Sequence, residues 1–298
     1  MPSQYSGRPI IYGEVLFDQF EDGTSVLGGA PFNVAWHLQG LGLNPLFISK
    51  IGKDSTGEQV LASMRGWGMD TRGIQVDDER PTGTVQVLLD KGQPTFDILP
   101  DQAYDHINYE PIKNLPDDNY SLLYHGSLIT RSPESDYTLL NIITEKKLPV
   151  FVDINLRAPW SDIKKVIRSL ETANWAKLNE HELASVLNRE SVPDKEIETC
   201  ASQLCQKLGL EILIVTLGEK GAYFISPDKT LTAKPVAAKE LADTVGAGDA
   251  FSAISIFGLL QNWPNEKTLK HALEFSSTIC GIHGATSDNH ALYKPFRH

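Results

Sequence analysis

Apolar and polar positions alternate between two periods along this chain. PIIYGEVLFD (Pro9–Asp18) is a short β-rich apolar run ending at Asp18, and APFNVAWHLQGLG (Ala30–Gly42) follows with apolar residues at helical spacing and a glycine stop. NPLFISKIG (Asn44–Gly52) predicts a strand, and DSTGEQVLASMRGWG (Asp54–Gly68) a helix capped by Asp54 or Ser55. The same succession returns in YSLLYHGSL, SPESDYTLLNIITEKK, LPVFVDINLR and SDIKKVIRSLETA, then WAKLNEHELASVL, DKEIETCASQLCQKLG and LEILIVTLGEKGAYFIS, and a last long helix opens at Pro264. Strand followed by helix, repeated, is the pattern of a parallel sheet with crossover helices.

The alternation breaks between Thr82 and Leu99, where two β-favouring segments flank Lys91–Pro94 and predict an antiparallel hairpin. A second short β candidate, Phe20–Leu27, is placed to pair with it as a small lid sheet. With no repeat, low-complexity tract or linker in view, the expected organisation is a single domain, 1–298, with lid insertions near 18–27 and 80–103.

Composition narrows the classes. Over 298 residues, 41% hydrophobic and 22% charged, the chain can bury a large core. The net charge of −11 is the wrong sign for tracking nucleic acid or an anionic membrane, so a polyanionic ligand needs local cations, a metal or backbone N–H groups. Three cysteines without metal-ligand spacing fit a reducing, cytoplasmic setting, and no segment approaches the roughly 20 apolar residues of a membrane span. The eight histidines contain no HxxxH pair, and no metal role is assigned to them.

One stretch carries candidate chemistry. LADTVGAGDAFSA (Leu241–Ala253) places Gly246, Ala247 and Gly248 between a Thr and an Asp, just before an apolar helical run. The first N–H groups of a helix lack partners and the macrodipole adds positive character, so such a start attracts anions. Glycines there let an oxygen approach the backbone, and Asp249 in the first turn is a candidate base. By itself GxGD is equally a strand-to-helix turn. There is no GxxxxGK[ST] anywhere, and a dinucleotide fingerprint would want a third glycine near Phe251.

The longer string DTVGAGDAF resembles the second signature, DTxGAGD, of the ribokinase-like (PfkB-type) sugar kinases, and GGAPFNVAWHLQGLG resembles their first, with Gly28, Gly29 and Asn33. The resemblance implies a three-layer α/β/α fold with a mostly parallel central sheet and a small β lid. It also implies transfer of the γ-phosphoryl group of ATP to a sugar hydroxyl, with Asp249 as base and the Gly246, Ala247 and Gly248 amides on the transferred group.

Further roles follow from the resemblance. Asp18, at the end of the first strand, Gly28, Gly29, Asn33, Ser127 and Asn155 would hold the sugar. The Asp-x-Asn-x-Arg pattern is matched by Asp153, Asn155 and Arg157, with Arg157 either bridging the phosphate region or pairing with Asp153. Asn179 and Glu182 match an Asn-x-x-Glu element linked to Mg2+, directly or through water, although helix capping by Asn179 explains that residue equally well. Thr216, Leu217, Gly218 and Gly221 match a TLGxxG turn at the nucleotide. Ala272, Ser276 and Cys280 give the last helix a shallow face suited to an adenine or to close helix packing. A K+ site is expected at Asp243, Val245 and the Gly284–Ser287 turn, and a homodimer through the lid.

GEVLFD, GGAPFNVA and DINLRAPW look most like their fructokinase versions. The lid stretch TFDILPDQAYDHI has no Arg or Lys and three acids, which argues against the carboxylate of 2-keto-3-deoxygluconate. 2-Keto-3-deoxygluconate kinase, ribokinase, and a catalytically idle sugar- or nucleotide-binding relative remain the alternatives.

Overall fold

The computed structural model describes residues 5–90, 93–116, 118–235, 242 and 244–297. Asp243 lies outside them. Among the described residues, thirteen strands form two sheets. The strands are β1 (Arg8–Tyr12), β2 (Leu16–Phe20), β3 (Ser25–Gly28), β4 (Leu46–Gly52), β5 (Ile74–Asp77), β6 (Gly83–Asp90) and β7 (Gln93–Ile98). They continue with β8 (Tyr120–Gly126), β9 (Val150–Asp153), β10 (Trp175–Asn179), β11 (Ile212–Thr216), β12 (Ala222–Ile225) and β13 (Thr230–Ala233).

The large sheet has the order β13-β12-β11-β10-β9-β8-β1-β4-β5. It is parallel from β5 to β11 and antiparallel only at its β11–β12 and β12–β13 pairs. Strands such as β4 and β8 are buried almost throughout, as expected when both faces are covered. Successive residues pack in opposite directions. Leu122 and Tyr124 of β8 join one core cluster while Leu123 joins another.

The first cluster also holds apolar residues of helices α1 (Ala30–Leu41), α2 (Ser55–Gly66), α8 (Ala247–Leu260) and α9 (Asn265–Ile279). On the opposite face lie α3 (Tyr109–Lys113), α4 (Pro133–Lys146), α5 (Ile163–Glu171), α6 (Glu180–Val186) and α7 (Asp194–Leu208). The result is the expected α/β/α sandwich. Local sequence sets the helix ends. Pro31 sits in the first turn of α1 and Gly42 closes it in the left-handed region, while the Asp54 side chain caps α2 by accepting from the Gly57 N–H.

The second sheet, ordered β3-β2-β6-β7, is the lid. β6 and β7 form the expected antiparallel hairpin and β2 and β3 another, joined by parallel pairing of β2 with β6. One expectation is corrected here. The run Pro9–Asp18 is two strands in different sheets, so Asp18 belongs to lid strand β2 and does not end the first strand. Gly13 marks the crossing, where an added Cβ would stand 2.4 Å from Pro31 Cγ. No helix among the described residues is long and apolar enough to cross a membrane.

Candidate functional site

In the large sheet the strand order reverses beside β1, which lies between β4 and β8. In such sheets the crevice at the carboxyl ends of the strands binds ligands. A cleft of about 700 Å³ opens there, roofed by Leu16, Asp18, Val85, Phe96 and Ile98 of the lid and floored by residues at the ends of β9, β10 and β11 and the start of α8.

Gly246 precedes α8 with φ 79°, a left-handed conformation suited to glycine, and an added Cβ would meet Ala285 Cβ at 2.5 Å. The turn aims the helix start at the cleft. The Ala247 N–H makes a long bond to the Thr244 carbonyl, 3.4 Å, so it is not one of the available donors. The N–H groups of Gly246, Gly248 and Asp249 have no partner among the described residues. Val245, Gly246, Gly248 and Asp249 line the cleft.

Two glycine substitutions separate the roles within this turn. Gly246→Ala adds left-handed strain and a clash with backbone, and is expected to lower stability by about 1–3 kcal/mol. Gly248 has no positive φ, and its added Cβ would meet only the end of Lys177, 3.7 Å from Nζ. Gly248→Ala is therefore expected to melt at or above the wild-type temperature while losing phosphoryl transfer by about 10²-fold, because the methyl occupies the approach to the amides. Thermal melts and steady-state rates check both; wild-type turnover in Gly248→Ala would remove the anion role.

Asp249 is 9% exposed, and its Oδ2 accepts from Asn33 Nδ2 at 2.8 Å. Burial pushes its carboxyl up to about 6, the nearby Asp153 adding to the rise and the Asn33 bond, Lys177 and Arg157 opposing it. Asn33 Oδ1 is buried without a partner. Asp18, half-buried in the lid, is also raised to about 6 by burial, against the pull of Arg157. Of the two glycines, Gly29 lines the cleft; Gly28 does not, and a Cβ added there would stand 3.7 Å from Asp18 Oδ2.

Arg157 lines the cleft and is exposed, with its backbone N–H on Ser161 Oγ and no ion pair to a described residue. The pairing with Asp153 is not formed. Asp153 is held instead by Lys177, whose Nζ lies 2.7 Å from each carboxylate oxygen, and by Ser252 Oγ at 2.7 Å. Burial opposes the Lys177 ammonium, but the Asp153 charge and hydrogen bonds outweigh it and its pKa is raised. Lys177, unassigned from sequence, lines the cleft and is the buried cation nearest the anion turn.

Asn155 lines the cleft with φ 43°, which asparagine tolerates. Ser127 does not line it, and its hydroxyl donates to the Asn155 carbonyl at 3.3 Å. Asn179 and Glu182 form a capping box. Asn179 Oδ1 accepts from the His181 and Glu182 N–H groups, and Glu182 Oε2 accepts from the Asn179 N–H. Glu182 Oε1 accepts from the Leu156 N–H at 2.8 Å, tying down the segment that carries Asn155 and Arg157. With these oxygens already accepting, Mg2+ fits them through water better than by direct ligation. Among the described residues no group of three His, Cys, Asp or Glu side chains could hold a metal.

Thr216 lines the cleft, whereas Leu217, Gly218 and Gly221 build the turn from β11 to β12, where Leu217 N–H donates to the Gly221 carbonyl. In α9 the adenine expectation is corrected for Ala272, which is fully buried in the core. Neither Ser276 nor Cys280 lines the cleft; Ser276 Oγ donates to the Ala247 carbonyl, bracing the anion turn. The loop after α9 touches Gly246 through Ala285, so the two candidate cation loops do meet. Ser287, however, already accepts at its carbonyl from Trp36 Nε1 and Tyr293 OH.

Known proteins match this chain in sequence and fold. Residues 9–292 match the pfkB family carbohydrate kinase pattern. The chain belongs to that family. This PfkB-family kinase is 31% identical over 242 residues to a putative sugar kinase of Pyrococcus horikoshii, covering 78% of this chain and 73% of the relative. It is 29% identical over 284 residues to the fructokinase of Salmonella typhimurium, covering 91% and 89%. A double mutant of Vibrio cholerae fructokinase, solved with fructose, ADP and potassium ion, superposes with a TM-score of 0.81 at 25% identity, covering 97% of each chain.

Proposed function

We propose that this sugar kinase transfers the γ-phosphoryl group of ATP to a primary hydroxyl of D-fructose. The observation that carries the reading is the joint placement of the Asp249 carboxylate and the unpartnered Gly246, Gly248 and Asp249 amides at one cleft. Asn33 fixes Asp249 through Oδ2, and no described residue bonds Oδ1, which is left for the sugar hydroxyl. Asp249 takes the hydroxyl proton as the oxygen attacks the γ-phosphorus, the bond from that phosphorus to the β–γ bridging oxygen breaks to release ADP, and the amides offset charge on the transferred group.

Asp18, Gly29, Asn33 and Asn155 offer the mixture of acceptors and donors that a polyhydroxylated substrate needs. Arg157, with no ion pair to a described residue, is available to phosphate oxygens. Mg2+, held through water at Glu182 and Asn179, would neutralise charge on the phosphates. The nucleotide would lie along Thr216 and the anion turn. The lid roof excludes water that would otherwise hydrolyse ATP.

Fructose is favoured by the fructokinase relatives and by the three acids of TFDILPDQAYDHI, among which Asp105 already consumes Arg131. Potassium would sit between the backbone oxygens near Val245 and the Gly284 turn. No disulfide joins the three cysteines, which supports a cytoplasmic setting. A second copy would cover the lid, whose Phe20 and Phe96 are 40% and 51% exposed; sedimentation showing a monomer at micromolar concentration removes that partner.

A coupled ADP-release assay over ketohexoses, pentoses, sugar acids and nucleosides, with and without potassium, tests the function. The highest kcat/KM is expected on fructose, stimulated by potassium. Highest turnover on ribose or 2-keto-3-deoxygluconate contradicts the fructose assignment, and no turnover with any compound contradicts the kinase.

A further inference from the structure

Lys177 is a buried cation that the reaction above leaves unused. It lies in β10 in register with Asp153 of β9, and the two side chains, 8% and 1% exposed, both belong to the lining of the cleft. Asp153 is also anchored to α8, whose Ser252 Oγ donates to its Oδ2 at 2.7 Å. The pair therefore sits between the ends of two parallel strands and the helix that starts at the anion turn.

The pairing does not exhaust the ammonium. It has three N–H donors, and Asp153 Oδ1 and Oδ2 take two of them, each at 2.7 Å. No other described atom accepts from Nζ. The space beside Gly248 leads to the third donor. A Cβ added to that glycine would meet Nζ at 3.7 Å and, beyond its chain neighbours and its own helix backbone, no other described atom within 4 Å. Gly248 lines the cleft and its amide has no partner among the described residues, so an oxygen entering there can meet amide and ammonium together.

The charge of the wall gives such a donor a task. Five carboxyl side chains line the cleft, those of Glu14, Asp18, Asp153, Glu182 and Asp249, against the two cations Lys177 and Arg157. A wall of that sign repels a triphosphate except where a cation faces it. Arg157 is exposed and screened by water, whereas Lys177 is held out of water, where a bond between ammonium and phosphate is stronger. Burial favours the neutral amine, but the Asp153 charge and hydrogen bonds outweigh it and the pKa is raised, so the ammonium stays charged. As a filler of the fold alone, such a pair gains little over apolar side chains of the same size.

We propose that Lys177 is a catalytic residue whose third N–H donates to an oxygen of the terminal, transferred phosphoryl group beside the Gly248 amide, with Asp153 positioning the ammonium. The proposal rests on the sugar-kinase reading. Lys177 forms no bond to phosphorus and gives up no proton; it offsets the negative charge on the group as it moves from ADP to the sugar oxygen.

The test uses the double variant Lys177→Met/Asp153→Asn, which removes donor and partner together, leaves the net charge unchanged and strands no buried ion. Calorimetry in the presence of Mg2+ compares AMP, ADP and a non-hydrolysable ATP analogue. The double variant is expected to bind the analogue about tenfold or more weakly than wild type, the effect of losing a hydrogen bond to a charged group, while AMP and ADP stay within about twofold. Its kcat should fall by about 10²-fold. A purely structural role would move all three nucleotides alike, so equal weakening of the three overturns the proposal, as does unchanged affinity for the analogue. Equal weakening of ADP and the analogue puts the contact on the inner phosphates and overturns it too. Where the double variant melts too low to assay, a structure of wild type with the analogue decides. Nζ within ~3 Å of a terminal phosphate oxygen supports the proposal, and Nζ touching Asp153 alone overturns it. A wild type that binds the analogue but phosphorylates no sugar removes the kinase reading alone, since the binding comparison still decides the contact; a wild type that binds no analogue removes both.

Discussion

Asp249→Asn is expected to lower kcat by about 10²–10⁴-fold, the range associated with a positioned proton acceptor. Asn keeps the size of the side chain and an oxygen to accept from Asn33 Nδ2, so folding and sugar binding should survive, leaving KM within a few-fold. The pH dependence carries a second signature. Burial lifts the Asp249 carboxyl from 3.8 to about 6, so the base form is lost as pH falls through about 6, two units above an ordinary aspartate. With Asp18 at about 6 and Glu14 at about 7 in the same cleft, the acid limb of kcat/KM belongs to the group of carboxyls together. Stability runs the other way. A raised carboxyl favours the folded state most below its unfolded pKa, and that contribution is lost as pH rises through the folded value. Acid should therefore silence the enzyme while these carboxyls favour its folded state. Near wild-type turnover in Asp249→Asn would remove the assigned base.

Lys177→Met is expected to be the most destabilising single change at the cleft. The Lys177 and Asp153 side chains are 8% and 1% exposed, and removing the ammonium strands a buried carboxylate. Breaking one side of such a pair costs about 3–5 kcal/mol, which for a chain of this size lowers the melting temperature by on the order of 10 °C. Adding Asp153→Asn should recover much of the loss, since the stranded charge and not the missing contact is the main penalty. Urea or thermal unfolding of the two single variants and the double variant tests this. Additive losses in the double variant would contradict the mechanism.

The layers of the fold were legible because strand and helix periods alternate and buried strands read as apolar runs. The lid hairpin announced itself by interrupting that alternation. The change of sheet between Tyr12 and Leu16 did not, because an apolar run looks the same whichever sheet its halves join; only Gly13 signals the close approach of Pro31. Asp249 and Asn33 could be named from their motifs, but their contact across 216 positions is a product of packing α8 beside α1. Lys177 was hidden because a lone lysine in WAKLN acquires meaning only from its register opposite Asp153 on β9, and strand order cannot be read from the letters. The small residues of α9 misled in part. Close approach to α8 explains that face, as at Gly258, where an added Cβ would meet Thr268 Oγ1 at 2.4 Å.

The most direct measurement is a crystal structure of the wild-type protein with fructose and a non-hydrolysable ATP analogue. The account predicts terminal phosphate oxygens within ~3 Å of the Gly248 and Asp249 nitrogens, and a primary hydroxyl of the sugar at the same distance from the Asp249 carboxylate. Phosphates bound elsewhere, with those amides untouched and Asp249 still contacting Asn33 alone, would contradict it.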